Sequence, residues 1–199
     1  MTSRLVDGRY LPAAVAGHPA LELCNTRAGW GTASPKEYLV DFTALALWAR
    51  ETRLISPTET RAVLHSAEVA PRRARASLSR AIELREALYA TVIAPRADSL
   101  DTVRRFVLRA AGRSQYRLLG DGLLLDGGSG LPAIVDRAAL QAHRLLEQFG
   151  AEAVGRCGGV GCGWLFLDPA HRRRWCTMAI CGNRAKARRY AERRRTFGS

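Results

Sequence analysis

CGGVGCGWLFLDPAHRRRWCTMAICGNRAK, residues 157–186, sets four cysteines in two pairs, Cys157 with Cys162 and Cys176 with Cys181. Four residues lie inside each pair and thirteen between them. Clustered cysteines in a reducing compartment mark a metal site more often than disulfides. Two tight turns carrying two thiolates each can surround a tetrahedral zinc ion. Each pair is wider than the usual two-residue spacing but remains within the range of structural zinc. Gly158, Gly159 and Gly161 let the first turn bend sharply. Four sulfur ligands leave no open coordination position, so the expected cofactor is one structural Zn2+ per chain with no hydrolytic role. His171 is an alternative fourth ligand. An iron–sulfur cluster would accept the same thiolates, although nothing nearby points to redox chemistry. Trp164, Leu165, Phe166 and Trp175 are too few to form a core alone, so the metal should contribute folding free energy.

Beyond Cys176 the chain reads as a basic helix. From Met178 to Arg195 there is no proline, and Gly182 is the only glycine. Arg184, Arg188 and Arg195 share one stripe, and Lys186, Arg189 and Arg193 adjoin it. Arg172, Arg173 and Arg174 precede Trp175. Residues 171–195 hold ten Lys or Arg against Glu192 alone. Overall 31 basic residues oppose 18 acidic ones, a net charge of +13, and residues 151–199 carry 11 basic against 3 acidic. Such a field attracts polyanions. The expected partner is double-stranded DNA, with Arg172, Arg173 and Arg174 as backbone clamps and Arg184 and Arg188 in a groove. Asn183 carries the donor–acceptor pair that reads an adenine edge, or else it braces the helix start. Three other readings remain: an RNA partner, a protein-interaction module with zinc as scaffold, and a solvated basic tail.

No window of eighteen apolar residues lacks charge, so no membrane helix is expected. Asp7 and Arg9 break any signal-like run, which points to the cytosol. The four histidines, at 18, 65, 143 and 171, form no catalytic constellation, and no enzyme is expected.

Upstream, residues 18–150 read as a mainly α domain with one small β-hairpin; the zinc module, 153–197, adds a short hairpin and the basic helix. Residues 1–17 lack periodicity and are expected to be poorly ordered. Residues 20–28 suit a short helix, with Cys24 a small buried hydrophobe. Ser34-Pro35-Lys36-Glu37 has the form of a capping box opening a helix to about Glu51, and Ser56-Pro57-Thr58-Glu59 repeats it. Further helices are predicted over 71–94, 99–111 and 132–149. A hairpin is predicted over 116–125, around Gly120-Asp121-Gly122. Gly127-Gly128-Ser129-Gly130 lacks the lysine of a phosphate loop and reads as a plain loop.

Cys157-x4-Cys162-Gly163-Trp164-Leu165-Phe166, followed by Arg173-Arg174-Trp175-Cys176-Thr177-Met178-x-x-Cys181-Gly182-Asn183-Arg184-x-Lys186, resembles the CGNR zinc finger. The preceding domain resembles the ABATE domain that accompanies this finger. Its marker is His18-Pro19-Ala20-Leu21-Glu22-Leu23-Cys24-Asn25-Thr26, with Cys24 where a larger aliphatic residue is expected. The resemblance implies a bacterial, cytoplasmic, zinc-dependent DNA-binding transcription regulator. It also implies an N-terminal domain that senses a small-molecule ligand or mediates assembly, such as a homodimer. Asn25, Thr26 and Arg27 are the polar anchors for a ligand pocket there; their alternative role is a helix-terminus hydrogen-bond network.

Overall fold

A computed structural model describes residues 3–119 and 122–197. The chain opens with a hairpin, β1 (Ser3–Val6) and β2 (Arg9–Pro12), and a short helix α1 (Pro19–Cys24). A two-residue pair follows, β3 (Arg27–Ala28) with β4 (Lys36–Glu37). Then come α2 (Phe42–Glu51), α3 (Pro57–Val69), α4 (Pro71–Ile93) and α5 (Ala97–Ala111). A hairpin of β5 (Gln115–Leu119) and β6 (Gly122–Asp126) leads to α6 (Ala133–Phe149). The C-terminal part has a third short hairpin, β7 (Val154–Arg156) with β8 (Leu165–Leu167), a π-helical turn Met178–Gly182, and α7 (Asn183–Phe197). The architecture is mainly helical with small antiparallel hairpins, as the sequence predicts.

Local chemistry accounts for most helix ends. At α3 the predicted capping box forms: Glu59 N donates to Ser56 Oγ at 3.2 Å, and Ser56 N donates to Glu59 Oε2 at 2.7 Å. At α2 the prediction fails. The helix begins at Phe42 with Asp41 as its cap, accepting from Ala44 N at 2.8 Å, and Lys36–Glu37 is a strand. Glu37 is held by a guanidinium: Arg85 Nη1 and Nη2 each donate to it at 2.7 Å. A charge-assisted bidentate pair outweighs a local cap. Similarly, α1 stops at Cys24 rather than continuing to Ala28, because Arg27–Ala28 pairs with β4. Residues 3–12 form a hairpin where no periodicity announced one, tied by Arg9 to Asp41 at 2.6 Å and by Arg50 to Asp7 at 2.8 Å. The predicted turn residues Gly120 and Asp121 lie outside the described residues.

The largest apolar cluster joins α2 (Leu45, Trp48), α4 (Leu84), α5 (Phe106) and α6 (Ile134). A second joins Leu21 and Cys24 of α1 to Leu88, Val103, Leu145 and Leu165 of β8. Cys24 is fully buried in it, as its apolar surroundings predict. The third contains all four clustered cysteines together with Ala28, Tyr38, Trp164 and Phe166. The C-terminal module therefore completes its core with residues from the N-terminal part.

Candidate metal centre

The Sγ atoms of Cys157, Cys162, Cys176 and Cys181 all lie within 4.8 Å of one another, and all four residues are buried. Adjacent sulfurs are 3.8 Å (Cys162–Cys176) and 3.5 Å (Cys176–Cys181) apart. A tetrahedron with zinc–sulfur bonds of about 2.3 Å has edges of about 3.8 Å, so the four thiols fit one zinc ion. Crowding divides their acidities. Hydrogen bonds from Cys162 and Cys176 hold the Cys157 thiol far below the ordinary range, while the same contacts push Cys162 and Cys176 up. A divalent cation removes that conflict by favouring all four thiolates, and it cross-links the two turns. Among the described residues no other group of three or more His, Cys, Asp or Glu side chains converges in this way. His171 is exposed and outside the group.

Outer contacts orient these sulfurs. Gly159 N donates to Cys157 Sγ at 3.4 Å, and Arg184 Nη2 donates to Cys181 Sγ at 3.1 Å. The sulfur contact raises the Arg184 pKa above its ordinary value. A Cβ on Gly159 would meet Cys181 Sγ at 3.0 Å and Cys157 Sγ at 3.4 Å, so a larger residue there would displace the sulfurs by a few tenths of an ångström. Asp168 braces the loop before Cys176, accepting from Arg172 N at 3.0 Å and Arg173 N at 2.8 Å.

The N-terminal domain holds the module from outside. Asn25 clasps the backbone of Leu165, with Nδ2 donating to O at 2.9 Å and Oδ1 accepting from N at 2.8 Å. Trp164 Nε1 donates to Arg27 O at 3.1 Å, Tyr89 Oη to Gly163 O at 2.8 Å, and Gly29 N to Cys162 O at 3.1 Å. Trp30 stacks on Tyr89, with centroids 3.6 Å apart. Gly163 has φ +70°, and a Cβ there would meet Trp30 Cβ at 2.7 Å.

The expected pocket anchors lie among these contacts. Asn25 and Thr26 are fully buried, and Thr26 donates to Leu23 O at 2.6 Å. Arg27 pairs with Glu86 at 3.1 Å. Asn25 and Thr26 thus engage backbone groups, and Arg27 a carboxylate. Nothing in the motif itself indicated that its partner lay 140 positions away in β8.

The basic residues divide likewise. Arg173 donates to Val15 O at 3.1 Å and to Cys176 O at 2.7 Å, and its guanidinium lies 4.3 Å over Phe166. It links the module to the N-terminal domain through the Val15 carbonyl. Asn183 Nδ2 donates to Ala179 O at 3.1 Å, bracing the start of α7. Arg174, Arg184, Arg188 and Arg189 converge with Trp175 and Gly158 around a cavity of about 200 Å³. Arg172, Lys186 and Arg193 are exposed.

The fold and site together define a zinc-finger protein: a helical domain into which a closed four-thiolate module is built. A profile described as "Putative stress-induced transcription regulator", the ABATE family, matches residues 17–155, and the CGNR zinc finger profile matches residues 154–194. The chain belongs to the ABATE family and carries a C-terminal CGNR zinc finger. Both families are regulatory and not catalytic. No curated protein sequence matches the chain. No helix among the described residues is long and apolar enough to cross a membrane.

Proposed function

We propose that the chain is a DNA-binding transcription regulator, acting in a bacterial cytoplasm, whose finger presents α7 to double-stranded DNA. One observation carries this reading. Every residue from Lys186 to Arg195 is exposed, so neither the finger nor the N-terminal domain covers the basic helix. Groove entry requires that freedom. Arg174 and Arg189, gathered around the cavity beside the sulfurs, form a phosphate clamp, with Arg172, Lys186 and Arg193 as outer contacts. Arg184 holds the Cys181 sulfur, which leaves Arg188 as the groove contact. RNA binding is the second reading, favoured by Tyr190, an exposed aromatic that can stack on a base.

Fluorescence anisotropy with labelled duplex DNA and a structured RNA, across a salt series, tests both. About five phosphate contacts give a slope of log affinity against log salt near −4 to −5. Arg188→Ala weakens a preferred duplex more than a random one, whereas Arg172→Ala weakens all duplexes alike. The stoichiometry reports whether one chain or a homodimer binds. Affinity weaker than about 10⁻⁴ M in low salt overturns the nucleic-acid reading and favours a protein-interaction module.

A further inference from the structure

A second concentration of positive charge lies in the N-terminal domain. Arg73, Ala76, Ser77 and Arg80 of α4, Arg113 just beyond α5, and Leu131, Pro132 and Val135 at the start of α6 enclose a cavity of about 270 Å³. Its chemistry is unbalanced. Arg113 is paired with the buried carboxylate of Asp136, through Nε at 2.9 Å and through Nη2. Arg80 has no such partner. Its Nε and Nη2 are buried and find no hydrogen-bond acceptor among the described residues. Its guanidinium lies over the ring of Phe106, with Cζ 5.7 Å from the centroid. Burial, then the charges of Arg109 and Arg113, depress the Arg80 pKa, with Asp136 and Glu83 offsetting them only in part.

Buried guanidinium N–H groups without acceptors are rare, and each calls for a partner. Arginine cannot escape by releasing its proton at physiological pH. A guanidinium edge matches a carboxylate or phosphate edge, and Arg80 offers one to the cavity it lines by a turn of its side chain that uncovers Nε and Nη2. Beside it, Leu131, Pro132 and Val135 offer an apolar wall.

We propose that this cavity binds a small organic oxyanion: a carboxylate or phosphate head on Arg80, and a compact apolar body against Leu131 and Val135. The site is separate from the finger and gives the N-terminal domain a specific place for a regulatory ligand.

The test is isothermal titration of the full-length, zinc-loaded protein with benzoate, phenyl phosphate and inorganic phosphate, at ionic strength fixed with chloride. Benzoate or phenyl phosphate should bind once per chain. Arg80→Met keeps the side-chain length over Phe106 but removes the fork, and should weaken binding by about tenfold or more. Arg73→Ala, an exposed rim change with little risk to folding, should weaken it several-fold. The double variant Arg188→Ala with Arg189→Ala leaves this affinity unchanged, which separates the cavity from the basic helix. Four results overturn the proposal: no saturable binding by about 10 mM, equal affinity in Arg80→Met, loss confined to the finger double variant, or inorganic phosphate binding more tightly than either organic probe. If Arg80→Met does not fold, unchanged affinity in Arg73→Ala overturns it instead.

Discussion

Asn25 supplies to β8 the donor and acceptor that a neighbouring strand would supply, and it does so from a fully buried position. Asn25→Asp keeps the acceptor, loses the donor and turns a carboxylate oxygen towards the Leu165 carbonyl. A lost buried pair of this kind costs about 2–3 kcal/mol. The melting temperature should fall by about 5–10 °C, which calorimetry would measure; an unchanged midpoint would mean that the clasp does not hold the finger. Glu22 is the second residue to test. It accepts from Ala16 N at 2.7 Å in the loop whose Val15 carbonyl receives Arg173. Burial raises its carboxyl from 4.5 to about 7 against the pull of those backbone amides. A carboxyl raised in the folded state stabilises fully below its unfolded pKa, and that contribution is lost as pH rises through the folded value. Between pH 6 and 8 the protein should therefore lose about 1 kcal/mol relative to Glu22→Gln. Parallel denaturant curves for the two proteins at both pH values would measure it, and identical pH dependence would remove Glu22 as the cause.

At the scale of elements, legibility followed the range of the forces involved. The ends of α3 and α4 were readable because proline, capping and periodicity act within one turn. Four thiolates at fixed spacing were equally readable, since zinc chemistry constrains residue type and number together. By contrast, β3 and β4 have two residues each and exist because Arg85, 48 positions from Glu37, claims its carboxylate. No local pattern encodes that pairing. Arg85 lies buried within the helix predicted over 71–94, and nothing near it in sequence names Glu37 as its partner. For α7 the helix and its charge were legible in the sequence, while only the structure showed how little supports it. Arg184 with Arg188, and Arg189 with Arg193, are like charges at i and i+4, each pair unfavourable by about 0.2–0.5 kcal/mol. An exposed helix of fifteen residues is marginal alone. Backbone amides beyond Arg188 should therefore exchange with solvent quickly in the free protein and become protected on a bound DNA duplex. Hydrogen–deuterium exchange reads this directly, and protection already complete without DNA would show α7 to be preformed.

At the scale of the molecule, the question is whether the finger is an appendage or part of the core. Its composition implies two units, a metal-built module and a helical domain with apolar stripes of its own. The geometry couples them. Ala28 and Tyr38 lie in the same buried cluster as the four cysteines, and Leu165 lies in a cluster with Leu21, Leu88 and Leu145. Zinc removal should then have two consequences of different size. The largest cluster, built on α2, α4, α5 and α6, contains no residue beyond 150, so most helical signal survives chelation. The second cluster loses Leu165 if the module opens, and Trp164, Gly163 and Cys162 release their bonds to Arg27, Tyr89 and Gly29. Removing one buried leucine from a core costs about 2–5 kcal/mol. The helices of the metal-free protein should therefore melt about 10 °C or more below those of the zinc form. A fragment of residues 153–197 should not fold even with zinc, because Val15, Ala28, Trp30 and Tyr38, which complete its core, are absent. Far-ultraviolet circular dichroism through thermal unfolding, with and without chelator, measures the first effect, and dispersion in the proton NMR spectrum of the zinc-loaded fragment measures the second. If the helical midpoint stays fixed on chelation and the fragment folds, the two parts are independent, and a signal could not pass from the N-terminal domain to α7 through these contacts. If both effects appear, a ligand that stiffens α4 acts on Tyr89 and thereby on Gly163, next to a metal-holding cysteine, which provides a physical route from the helical domain to the basic helix.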